Sequence, residues 1–83
     1  MSRIDYRLRY LAFAKSLRDA RIEKNLTQAE AASLLRRPQS FVSKVESGER
    51  KVNLVEFAEI AGIYGIRGPR LLKLLASFGL VSE

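Results

Sequence analysis

Two short helical patterns lie on either side of Arg36-Arg37-Pro38, and that break constrains the fold more than any other stretch of the sequence. On its N-terminal side, Thr27-Gln28-Ala29-Glu30 has the form of a capping box. The Thr hydroxyl and the Glu carboxylate can each satisfy a backbone N–H that the helix leaves without a partner. Ala31, Ala32, Leu34 and Leu35 continue the pattern. Proline suits the first turn of a helix and disfavours helix in the residue before it. One helix should therefore stop near Leu35 and another start at about Pro38. The second runs to about Ser47, with Val42 and Val45 three apart on an inward face. Gln39, Ser40, Ser43 and Lys44 are left on the outer face, and Gly48 supplies a left-handed stop.

The flanking segments are also helical in pattern. Tyr6, Tyr10, Phe13, Leu17 and Ala20 are spaced 4, 3, 4, 3, which predicts a first helix from about Arg3 to Lys24, capped by Ser2 with Asp5 three residues on. Ile4, Leu8 and Leu11 add a second apolar stripe in its first half, suited to core packing or to another subunit. Asn53 with Glu56 forms a second capping pair and opens a fourth helix. Leu54, Phe57, Ala58, Ile60 and Ala61 make its apolar face, and Gly65 is its expected stop. Gly62 is a mild weakness inside it. A fifth helix follows Gly68-Pro69 and carries Leu71, Leu72, Leu74, Leu75 and Phe78. Five helices, short connections and no strand alternation predict an all-α chain, read as one domain over residues 1–83.

At 83 residues there is little room for a deep substrate cavity. Cys and His are both absent, which excludes disulfide staples, zinc fingers and Cys or His catalysis. Neither a phosphate-cradling Gly-rich loop nor a paired-carboxylate arrangement is present, so an enzyme is not expected and no cofactor or small-molecule ligand is evident. Apolar runs are short, Leu11 to Ala14 being an example, against the roughly 20 residues that span a bilayer. Arg3, Asp5, Arg7 and Arg9 interrupt any secretory signal, so a cytoplasmic protein is expected. The net charge is +6, of which residues 1–24 carry +4. Such a balance suits a polyanionic partner, nucleic acid first and anionic membrane second.

Two short helices joined by a tight turn, the second with an amide, two hydroxyls and an ammonium on its outer face, have the form of a helix-turn-helix that can enter a major groove. Thr27 to Leu35, then Arg36-Arg37-Pro38-Gln39-Ser40-Phe41-Val42-Ser43-Lys44-Val45-Glu46-Ser47-Gly48, resembles the phage-repressor/Cro type of helix-turn-helix, the xenobiotic-response-element family. The resemblance covers roughly residues 14–66. It implies a five-helix bundle of the lambda-repressor-like type and a protein that binds double-stranded DNA. In that pattern Gln39, Ser40, Ser43 and Lys44 face the bases. Gln28, Arg50 and Lys51 face phosphates, with Gln28 also bracing the recognition helix; in the turn, Arg36 and Arg37 are open between phosphate contact and a solvated role, and Arg37 is taken as a phosphate contact. Arg21 and Glu46 match a structural ion pair. Two departures stand out: Arg36 occupies a turn position usually held by Gly, and Pro38 stands where a Ser or Thr cap is common.

The resulting expectation is a sequence-specific transcriptional regulator, a repressor in the first instance, reading a palindrome as a homodimer. Leu71, Leu72, Leu75 and Phe78 are the expected dimer surface, with the start of the first helix second. An antitoxin, a restriction–modification controller protein and a helical protein-interaction module are the alternatives. Phe41 is open between a partly buried role and contact with a thymine methyl. Arg3, Arg7 and Arg9 read as solubilising charges.

Overall fold

A computed structural model describes residues 3–77, with side chains from 5 to 76. Among the described residues five helices follow one another: α1 (Arg3–Glu23), α2 (Gln28–Leu35), α3 (Gln39–Ser47), α4 (Leu54–Tyr64) and α5 (Pro69–Ser77). The expected Ser2 cap and Phe78, expected on the dimer surface, lie outside the described residues. So do the side chain of Ile4 and its part in the second stripe.

Local chemistry sets most of the boundaries. Thr27 Oγ1 accepts from the Glu30 N–H at 3.0 Å, and Glu30 Oε1 accepts from the Thr27 N–H at 2.9 Å. Asn53 and Glu56 form the equivalent reciprocal pair at the start of α4, at 2.8 and 3.0 Å. These boxes hold Glu30 and Glu56 below the usual carboxylate range, in both cases chiefly through backbone N–H donors. The α1 helix ends at Glu23, one residue before the expected Lys24, because Asn25 turns left-handed at φ 58° and the Leu26 N–H reaches back to the Arg21 carbonyl. Pro38 is the N-cap of α3 rather than its first helical residue, and it offers no side-chain hydrogen bond.

Arg36 accepts the left-handed conformation that the turn requires, at φ 57° and ψ 43°. A non-Gly residue in that region is disfavoured by roughly 1–2 kcal/mol. The turn offsets that cost by satisfying α2's last carbonyls: the Arg37 N–H donates to Ala32 O at 2.9 Å, and the Arg36 N–H to Ser33 O at 3.1 Å.

The core gathers Leu17 and Ala20 from α1, Ala31, Ala32 and Leu35 from α2, Val42 and Val45 from α3, and Ile60, Ala61 and Tyr64 from α4, closed by Ile66. The alanines are fully buried or nearly so, and their small size lets α1, α2 and α4 approach closely around α3. Leu71 and Leu74 lay α5 against this cluster, and Arg70 pairs with Glu23 at its edge. One sequence expectation changes here, on the face of α4. Leu54 is 82% exposed and Ala58 is exposed, whereas Glu56 is buried. The capping box turns the Glu56 carboxylate inward and rotates Leu54 out to solvent. Leu71, expected on the dimer surface, is half-buried and packs on the core, and Leu72 points outward.

Gly62 sits in α4 with open space where a Cβ would fall. Gly62→Ala is therefore expected to raise stability by about 0.5–1 kcal/mol, read as a higher urea midpoint with an unchanged slope.

Candidate nucleic-acid interface

The outer face of α3 is built by what its inner face must do. Val42 and Val45 are 2% and 4% exposed, and they fix the rotation of the helix. That rotation places Gln39, Ser40, Ser43 and Lys44 at the surface, all four exposed. None of these side chains is used in a hydrogen bond or ion pair among the described residues.

Beneath α3 lies a buried polar brace. Arg21 Nε donates to Glu46 Oε2 at 2.6 Å and its Nη2 donates to Oε1 at 3.0 Å, while Nη1 donates to the Leu26 carbonyl at 2.7 Å. Gln28 Nε2 adds a third donor to Glu46, at 3.1 Å to Oε1. The carboxylate thus ties α3 to α1 and α2 at once, and the bidentate pairing raises the Arg21 pKa further. Gln28, at the first turn of α2, is half-buried by this bond.

Tyr64 lies near the same carboxylate. Burial, then the charge of Glu46, pushes its phenol up to about 12. Because the folded state holds the proton more tightly, the associated stability is complete below the ordinary tyrosine pKa of 10.0 and is lost as pH rises toward 12. An alkaline titration followed by phenolate absorbance and by circular dichroism should show Tyr64 ionising late and with loss of helix. The Tyr64→Phe variant should keep its helix further into that range.

A second cluster sits at the flank of α3. Phe41 is half-buried against the core, and two guanidiniums lie over its ring. Arg37 from the turn is 4.7 Å from the ring centroid, and Arg50 from the α3–α4 connector is 5.7 Å away. Glu56 Oε2 accepts from both arginines. The pairing fixes where the two cations stand, and their side chains remain 36% and 46% exposed.

The connector is held from the other side by α1. Tyr10 OH accepts from the Val52 N–H at 2.8 Å and reaches the Arg50 carbonyl at 3.4 Å. Lys51 Nζ lies 5.3 Å from the ring centroids of both Tyr6 and Tyr10. The sequence pattern assigned Tyr10 to an apolar stripe and Glu56 to a cap. Their contacts with the connector depend on tertiary approach and had no local signal.

An apolar groove of about 530 Å³ opens between α1, the start of α4 and α5, lined by Tyr10, Phe13, Leu54, Phe57, Leu71 and Leu75 among others. Leu72 stands 58% exposed beside it. Among the described residues no metal-binding cluster is found, and no helix is long and apolar enough to cross a membrane.

Two short helices at the surface, joined by a left-handed turn and carrying a free polar face flanked by cations, define a helix-turn-helix DNA-binding protein. The helix-turn-helix family model matches residues 17–72, and the chain belongs to that family, whose pattern is the phage-repressor/Cro, or xenobiotic-response-element, type of DNA-binding regulator. The matched span runs past the fourth helix into α5, further than the 14–66 suggested by the sequence pattern. No curated protein matches the chain.

Proposed function

We propose that the chain is a transcriptional repressor that binds a palindromic operator as a homodimer, each copy laying α3 in a major groove. The observation that carries this reading is the outer face of α3: four exposed side chains with hydrogen-bonding heads that the fold itself does not use. Gln39 is assigned to adenine, since its amide can pair with N6 and N7 together. Ser40 and Ser43 reach neighbouring base edges, and Lys44 reaches guanine or a flanking phosphate. Gln28, Arg37, Arg50 and Lys51 hold the backbone on either side, supplying position and salt-dependent affinity. The cytoplasm, where the operator lies, is the assigned compartment.

One helix reads only a few base pairs, so specificity calls for two copies about 34 Å apart. The apolar groove and the exposed Leu72 beside it are assigned to the second copy, through Leu72 and Leu75 with Leu71 beneath them, and Phe78 is proposed as the last member of the surface. An antitoxin or a controller protein would make the same DNA contact and differ in its gene context.

Selection of bound duplexes from a random pool tests the DNA reading: an enriched inverted repeat supports it, and no enriched sequence overturns it in favour of an interaction module. The dimer is tested separately. Leu72→Glu with Leu75→Glu should give monomers by sedimentation and weaken binding to the full repeat at least tenfold. A variant that stayed dimeric would remove α5 from the interface.

A further inference from the structure

The N-terminal half of α1 carries cations that the recognition helix and the apolar groove leave without a role. Its course is fixed by two contacts. Leu11 packs on the end of α3, its Cδ2 only 2.7 Å from where a Cβ on Gly48 would stand. Tyr10 binds the connector through Val52 and Arg50. Tyr10 and Leu11 therefore face the stretch that follows the recognition helix.

Arg7 is three residues before Tyr10 and four before Leu11, so it lies on that same face, one turn further out. It is exposed and has no ion pair among the described residues. Lys51 crosses to this turn of α1, its ammonium resting against Tyr6 and Tyr10. Asp5 and Arg9 lie about 160° round the helix from Arg7, and Arg9 lines the apolar groove. The acids nearest in the chain to Lys51 are the exposed Glu49, then Glu46 and Glu56, and of these Glu46 is committed to Arg21 and Glu56 to Arg37 and Arg50.

Resting on the proposed DNA reading, we infer that this face of α1 is a second contact surface for the DNA backbone, on which Arg7 and Lys51 hold phosphates beyond those that α3 reaches. The face continues the cationic edge of the connector, and its partner is the sugar–phosphate chain of the same duplex. The Tyr10 hydroxyl on it is committed to Val52 and Arg50, and its two cations meet phosphates, so it adds affinity without sequence preference.

The test measures binding of the full chain to its selected duplex over a salt series. Arg7→Gln should lower the slope of log K against log salt by about one per protomer and leave the preferred sequence unchanged. Ethylation interference should lose a phosphate outside the α3 half-site in the same variant. Lys73→Gln, the same charge change on α5, should leave both readings as in the wild type. Arg7 is exposed, and an unchanged thermal melt confirms folding. Equal slopes and equal interference for wild type and Arg7→Gln would overturn the inference while the DNA reading stands. Loss of binding to phosphatidylglycerol vesicles, with DNA binding intact, would also overturn it and place a membrane there instead. If wild type selects no duplex, the failure belongs to the proposed function.

Discussion

Replacing Glu46 with alanine is expected to cost about 3–5 kcal/mol of folding stability, the largest effect of any single polar substitution in this chain. The side chains of Arg21 and Glu46 are 10% and 5% exposed, and the carboxylate receives three donors from two other helices. Removing it leaves a guanidinium buried with only the Leu26 carbonyl, and Gln28 without its acceptor. A chain of this size has roughly 4–12 kcal/mol in total, so the variant should be largely unfolded at the lower end of that range. Urea unfolding followed by circular dichroism reads the change. Replacing both partners by apolar residues of similar volume should recover much of the loss, because the cost is that of an uncompensated charge rather than of the pair itself. A loss below about 1 kcal/mol for Glu46→Ala would mean that water reaches the guanidinium and that the brace is not buried.

The second large effect is on binding and not on folding. Ser43→Glu places a carboxylate in the middle of the exposed face of α3. Surface substitutions of this kind change stability by about 0.5 kcal/mol or less. Against a polyanion, the new charge should cost several kcal/mol, about a hundredfold or more in affinity. The expected result is an unchanged melting curve beside a gel shift that disappears. An unchanged gel shift would place the DNA on some other face.

The parts of this fold that were legible in the sequence are those that obey local rules. The two capping boxes, the break at Pro38 and the glycine stops at Gly48 and Gly65 each depend on residues within one turn, and each appears where the pattern put it. Arg36 was visible as a departure, and its left-handed backbone resolves it. The misassigned residues are those whose direction is set from further away. Leu54 counted as apolar face because periodicity cannot see that the Glu56 carboxylate turns inward to meet Arg37 and Arg50. The pattern of α5 gives several leucines without saying which of them meets the core, and Leu71 is the one that is half-buried there while still lining the groove. The polar face of α3 was legible because two valines suffice to orient it. The Arg21–Glu46 pairing was visible only through the family resemblance, being 25 residues apart in the chain.

The most direct test of the central claim is methylation interference on the selected operator. Guanine N7 lies in the major groove, so a methyl group there blocks a helix that occupies the groove. If α3 reads bases, methylation within each half-site should prevent binding. Gln39→Ala should then relax preference at one base pair per half-site, at a cost of about 1–3 kcal/mol per pair. Binding that tolerates methylation throughout the operator, and a Gln39→Ala protein with the wild-type preference at every position, would contradict the account.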